Sequence, residues 1–191
     1  FALGLLRDTA AARPVMERLT GLPALDGPSG AEAVTALAKI GGPAVGDFVN
    51  GILTGRVTLS VAAREPVVLA ALLDAWRLGP DAPVQALLPY ADDTTVTRRW
   101  RAAYSLGRLR APAAGQRLTV LLRDPEVVVR GIAARALTRG YAEAAGLAPG
   151  TVAELLARAA SDLSPQVRIN ALRSLGGYGD TALVRFVAPL L

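Results

Sequence analysis

Residues 96–109 read Val96-Thr-Arg-Arg-Trp-Arg-Ala-Ala-Tyr-Ser-Leu-Gly-Arg-Leu109, which predicts one amphipathic helix. A turn follows at Arg110-Ala-Pro112, and then a second helix, Ala113-Ala-Gly-Gln-Arg-Leu-Thr-Val-Leu-Leu-Arg123. Asp124-Pro-Glu126 opens the next stretch in the way that Asp93 opens this one. Residues 93–124 therefore form a complete helical pair, and the rest of the chain matches it column by column.

With Leu106 as anchor, the equivalent positions are Leu3, Leu37, Ala75, Leu137 and Leu175, at spacings of roughly 31 to 38 residues, within the range of helical-pair solenoids. Four positions upstream the column reads Ala33, Ala71, Ala102, Ala133 and Ala171. An unbroken alanine column implies helices too close together for a larger side chain. The second helices repeat too. Val15, Val49, Leu87, Leu118, Leu156 and Val187 share one apolar face with Leu19, Leu53, Ala91, Leu122, Ala160 and Leu191.

Asp124-Pro-Glu-Val-Val-Val-Arg130 with Ala133-Ala-Arg-Ala-Leu137 resembles the bacterial HEAT repeat, in its phycobilisome-lyase variety. Asp162-Leu-Ser-Pro-Gln-Val-Arg168 with Asn170-Ala-Leu-Arg-Ser-Leu-Gly176 is similar to the same pattern, and residues 93–107 follow it more loosely. Units two and three depart from it, because Gly30 and Val68 stand where Arg99, Arg130 and Arg168 stand elsewhere. The resemblance implies an all-α, right-handed α-solenoid of about six helical pairs, the first lacking most of its leading helix. Arrays of this kind serve many unrelated partners, so the resemblance says much about fold and little about function.

Composition agrees with helices joined through small residues, since 52% of the chain is hydrophobic and only 5% aromatic. The chain has no Cys and no His, which removes disulfides, thiolate chemistry and the commonest general base and metal ligand. Residues 57–76, the most apolar stretch, are broken by Arg64, Glu65 and Asp74, so no membrane span is expected. The chain starts within a repeat at Phe1 and ends on Ala188-Pro-Leu-Leu191, so residues 1–191 are expected to be one array cut from a longer one.

Second helices are expected near 11–19, over 45–53, 113–123, and from 151 and 181 onward. Leading helices are expected over 31–40, from 61 to 78 with Pro66 in its first turn or at a kink, and over 126–139. Residues 21–30 and 140–150 read as loops, with Thr151 capping the helix after the second of these. No domain boundary is evident.

Three sets of residues are candidates for function. The first is the recurring pair Asp93…Arg99, Asp124…Arg130 and Asp162…Arg168. It reads either as a row of anion-binding arginines or as a structural ladder in which each Asp caps its helix and each Arg bonds neighbouring repeats. Recurrence in register favours the ladder. The second is an arginine-rich patch, with ten arginines (98, 99, 101, 108, 110, 117, 123, 130, 135, 139) against two acids, Asp124 and Glu126. Arg98 and Arg117 enter otherwise apolar columns, where a charge is costly unless paired or solvated. With Arg101, Arg108 and Arg123 they are candidate contacts for a partner.

The third is the polar column Arg13, Asp47, Gln85, Gln116, Glu154 and Arg185, opposite the apolar face of the second helices. The HEAT resemblance implies that these helices line a concave groove. The mixed sign of Asp47, Gln85, Gln116, Glu154 and Arg185 suits a protein or peptide rather than a polyanion, while the arginine-rich patch suits a phosphate-bearing or acidic partner. Nucleic acid is disfavoured because Trp100 and Tyr104 read as core and no stacking array is present. Catalysis is not expected of this segment: adjacent Asp92 and Asp93 point different ways, and Gly176-Gly-Tyr-Gly179 follows a helix. No catalytic residue, metal ligand or cofactor is assigned. The expected function is a protein-binding scaffold. The alternatives are a substrate-recruiting segment of an enzyme, such as a cyclophilin-type prolyl isomerase or a bilin-lyase-like protein, and polyanion binding. Compartment and oligomeric state are left open.

Overall fold

The computed structural model describes residues 8–21 and 25–179, and every regular element among them is helical. The chain packs as two compact units that meet in sequence at Pro89 and Tyr90, within what the repeat pattern treats as one helical pair.

In the first unit, α1 (Ala12–Thr20), α2 (Gly27–Ile40), α3 (Pro43–Leu53), α4 (Val61–Asp74) and α5 (Val84–Leu87) follow one another. Helix α2 starts earlier than the expected 31. The Asp26 side chain accepts a hydrogen bond from the Ser29 amide at 2.8 Å, and Pro28 occupies the first turn, two strong start signals inside the supposed loop. Helix α4 begins at the cap Ser60 and carries Pro66 in its second turn, not its first. It ends at Asp74 and runs on as a 3-10 segment, Ala75–Asp81, rather than reaching 78 as an α-helix. Pro83 and Pro89 bracket α5 and keep it to one turn.

Helices α2 and α4 lie against each other, and α3 packs on both. Val34, Leu37, Val45, Val49, Val67 and Leu72 fill the space between them. Each such side chain contributes about 1.5–3 kcal/mol of transfer free energy. Gly46 lets α3 reach the backbone of Asp81, since any Cβ at that position would collide with the Asp81 carbonyl.

In the second unit, α6 (Val96–Leu109) has the expected bounds and stops at Arg110, which takes the left-handed conformation at φ 52°. A 3-10 turn, Pro112–Ala114, leads into α7 (Gly115–Leu121), shorter than the expected 113–123. Helix α8 (Val127–Ala136) ends before 139, because Thr138 caps a new helix, α9 (Arg139–Ala144), by accepting from the Tyr141 amide. The expected 140–150 loop is therefore partly helical. Helix α10 (Pro149–Ala159) starts after Ala148, so Thr151 lies inside it and caps nothing. Helix α11 (Pro165–Leu175) closes the described chain, and the helix expected from 181 lies outside the described residues.

Leading helices α6, α8 and α11 lie side by side, with α7 on α8 and α10 on α11, a repeat-like stack of helical pairs. The anchor residues Leu37, Ala75, Leu106, Leu137 and Leu175 are buried, as are Ala71, Ala102, Ala133 and Ala171. Ala33 is only half-buried. It lines a hollow of about 760 Å³ between α1 and α2, together with Val15, Arg18 and Ala36. Leu3, Val187 and Leu191 lie outside the described residues.

Candidate functional site

The recurrent Asp–Arg motif folds into a chain of bridges between successive repeats of the second unit. Arg99 on α6 donates Nε and Nη2 to the two carboxylate oxygens of Asp124, at 2.7 and 3.1 Å. Arg130 on α8 does the same to Asp162, again at 2.7 and 3.1 Å. Each arginine also turns Nη1 back onto the loop ahead of its own helix. Arg99 meets the Asp93 carbonyl at 2.7 Å and Arg130 the Asp124 carbonyl at 2.8 Å. Arg168 repeats this half of the pattern on the Asp162 carbonyl at 3.0 Å.

The aspartates do not act as helix caps, since the cap positions belong to Thr95, Glu126 and Ser164. Instead Asp93, Asp124 and Asp162 accept from the amide two residues on, closing a tight turn that aims the carboxylate backwards. The Arg99–Asp124 pair is almost wholly shielded, with side chains 11% and 4% exposed. Donation by Arg130 holds the Asp162 carboxyl below the usual carboxylate range, and donation to Asp124 raises Arg99 above its own.

The two charges that enter apolar columns are partnered by the adjacent acids. Arg98 lies 3.5 Å from Asp93 and Arg117 lies 2.8 Å from Asp92, so the neighbouring carboxylates serve different helices. Arg139 pairs with Glu143 at 2.8 Å. Arg98, Arg99, Arg117, Arg130 and Arg139 of the arginine-rich stretch are thus engaged in ion pairs. Arg101 lies over the Trp100 ring, 4.3 Å from its centre, and Trp100 and Tyr104 are half-buried rather than core. Arg123 is exposed at the end of α7. The polar column is exposed wherever it is described: Arg13, Asp47 and Gln85 in the first unit, Gln116 and Glu154 in the second. Asp47 is bridged to Arg56 at 3.2 Å. Arg185 lies outside the described residues.

A groove of about 310 Å³ crosses α6, α8 and α11. Arg108, Arg110 and Arg135 are its charged residues, and no acid lines it. Tyr104, Gln166 and Asn170 add polar groups, while Val128, Ile132 and Ala136 supply apolar wall. Gly107 lets α6 and α8 approach closely along one side of it, because a Cβ there would lie 2.7 Å from that of Ala136.

Several polar residues that hold the repeats together escape column reading. The Tyr141 hydroxyl donates to the Ala111 carbonyl at 2.7 Å and that of Tyr178 to the Leu137 carbonyl at 2.9 Å. Ser174 Oγ donates to the Ala134 carbonyl, and Thr35 Oγ1 to the buried Asp74 carboxylate, both across successive leading helices. The one shared sequence signal was a polar residue just ahead of the anchor, at Asp74, Ser105 and Ser174.

Among the described residues no cluster of acids is placed to hold a metal ion, and no helix is long and apolar enough to cross a membrane. Residues 98–124 match the family model of the PBS lyase HEAT-like repeat. No curated protein matches the chain. Among solved structures, the crystal structure of an engineered protein from the Northeast Structural Genomics Consortium has a TM-score of 0.60 at 19% identity, over 94% of this chain and 84% of that one. At that identity the likeness concerns fold alone. The helical pair at residues 98–124 is thus similar to a HEAT-like repeat of the PBS lyase kind, set in a chain whose described residues are all-helical and repeat-like.

Proposed function

We propose that this chain is a non-catalytic scaffold that binds a protein or peptide partner. A HEAT-like fold is consistent with that role. The observation that carries it is the outward face of the second helices. Arg13, Asp47 and Gln85 are exposed there in the first unit, and Gln116 and Glu154 in the second, a column of mixed sign that suits protein surfaces better than a polyanion. The exposed Arg123 adds positive charge to the end of α7, and Arg117 lies on the same helix. Four of the acids are engaged in structure: Asp92 and Asp93 hold arginines, and Asp124 and Asp162 join repeats.

The match to a PBS lyase repeat favours one second reading, in which this segment recruits the substrate of a bilin-lyase-like enzyme. Both readings place binding, not bond-making, in these residues.

The test is affinity capture on the immobilised chain from a panel of acidic, neutral and basic peptides. Acidic peptides are expected to be retained, less so at high salt, and Arg117→Glu with Arg123→Glu is expected to weaken retention. Retention that ignores both charge reversal and salt rules the reading out.

A further inference from the structure

We propose that the groove across α6, α8 and α11 is a binding site for an acidic peptide segment, on a face other than that of the second helices. Its charge is one-sided: Arg108, Arg110 and Arg135 line it with no carboxylate among them. Arg110 and Arg135 are exposed and make no ion pair among the described residues. Guanidinium groups are matched in shape to carboxylates.

The backbone of Arg110 is the second observation. It is the one non-glycine residue among those described with positive φ, at φ 52° and ψ 41°, in the helix-terminating position where glycine is the favoured residue. A long cationic side chain is held there against conformational preference, at the rim of the groove. A purely structural stop for α6 has no need of it.

The remaining lining identifies the ligand as peptide. Asn170 donates Nδ2 to the Gly131 carbonyl at 3.0 Å, which leaves Oδ1 as an acceptor for a main-chain N–H. Gln166, one helical turn away, offers a second amide. Val128 is 43% exposed and, with Ile132, forms an apolar seat beside the cations. About 310 Å³ accommodates one or two side chains of a docked segment. A nucleic-acid site would instead combine a longer cationic track with several stacking rings, and Tyr104 is the single aromatic residue here.

Fluorescence anisotropy tests this with a labelled peptide of alternating Glu and Leu, its Gln-for-Glu counterpart, and a labelled oligothymidylate. The acidic peptide is expected to bind at least about tenfold more tightly than the Gln peptide and the oligothymidylate. Arg110→Gly and Arg135→Gln are each expected to weaken it by about tenfold. Arg110→Gly is informative because glycine relieves the backbone: the variant should melt no lower than the parent while losing affinity. Arg158→Gln, at an exposed arginine outside the groove, should change nothing. Tighter binding of the oligothymidylate, or no binding of the acidic peptide, overturns the assignment. An effect of Arg123→Gln with none from Arg110→Gly and Arg135→Gln also overturns it, yet leaves the scaffold reading in place on the second helices.

Discussion

In the unit that ends at Pro89, neighbouring elements meet through absent side chains. In the unit that opens at Tyr90, such contacts (Gly107 against Ala136) are joined by long polar side chains. Gly46 admits the backbone of Asp81 against α3, and Gly30 brings α2 close to Val67 on α4. Gly30 and Val68 occupy the column in which the other unit carries Arg99, Arg130 and Arg168, so no guanidinium ladder forms among the first pairs. The second unit instead joins its loops by Arg99–Asp124 and Arg130–Asp162 and ties carbonyls down with Tyr141 and Tyr178. The same helical-pair plan therefore uses close glycine contacts in both places and, among the described residues, adds the Arg–Asp ladder only in the second. The glycine contacts depend on a missing methyl group and the ladder on ionisation.

Arg130→Ala should show the largest effect. It strands the shielded Asp162 carboxylate and two loop carbonyls, for a loss of about 3 kcal/mol in urea unfolding. Because Arg130 lowers the Asp162 pKa, the pair's stabilisation is present above the ordinary carboxylate value and is lost as pH falls through the lower folded value. The variant should lose that part of the acid dependence. A loss no larger than that of the exposed Arg13–Glu17 pair, under about 0.5 kcal/mol, would break the contrast between the units.

Gly46→Ala comes next, at about 1–3 kcal/mol, because its methyl group must displace the Asp81 carbonyl. Unchanged unfolding would mean that shape is not what registers the first unit. Tyr141→Phe and Tyr178→Phe should each cost about 1–2 kcal/mol by leaving a carbonyl unmet. Burial pushes both hydroxyls up to about 12, whereas an unfolded tyrosine ionises near 10. Their stabilisation should be complete below pH 10 and decline towards 12, and the double Phe variant should have a flatter alkaline limb in a pH series of thermal melts.

The helical pair at the centre of the chain was legible because local signals agree there: α6 runs from Val96 to Leu109 as its pattern implies. The alanine column was legible because interhelical distance constrains side-chain size. Helix α9 was not, since Gly140, Gly146 and Gly150 suggest a loop while its cap Thr138 lies within an expected helix. The ladder was half-legible. Repetition exposed the residues, but the pattern pairs Asp93 with Arg99, whereas Arg99 grips the carboxylate of Asp124 in the following loop. Which carboxylate an arginine reaches depends on the distance between loops, and a one-dimensional register carries no such distance. For the same reason Arg110 and Arg135 are legible in the sequence only as members of the arginine-rich stretch: their convergence on one groove requires α6 and α8 to be side by side.

Each rung of the second unit has its donor on one repeat and its acceptor at the entrance of the following one, where the next donor also begins. A segment bounded in this way is self-compatible. Tandem duplication of its coding sequence would create a junction whose two sides already fit, without any compensating substitution. Lengthening such an array by copying is correspondingly easy, whereas in the first unit each new junction would need its own relief of bulk.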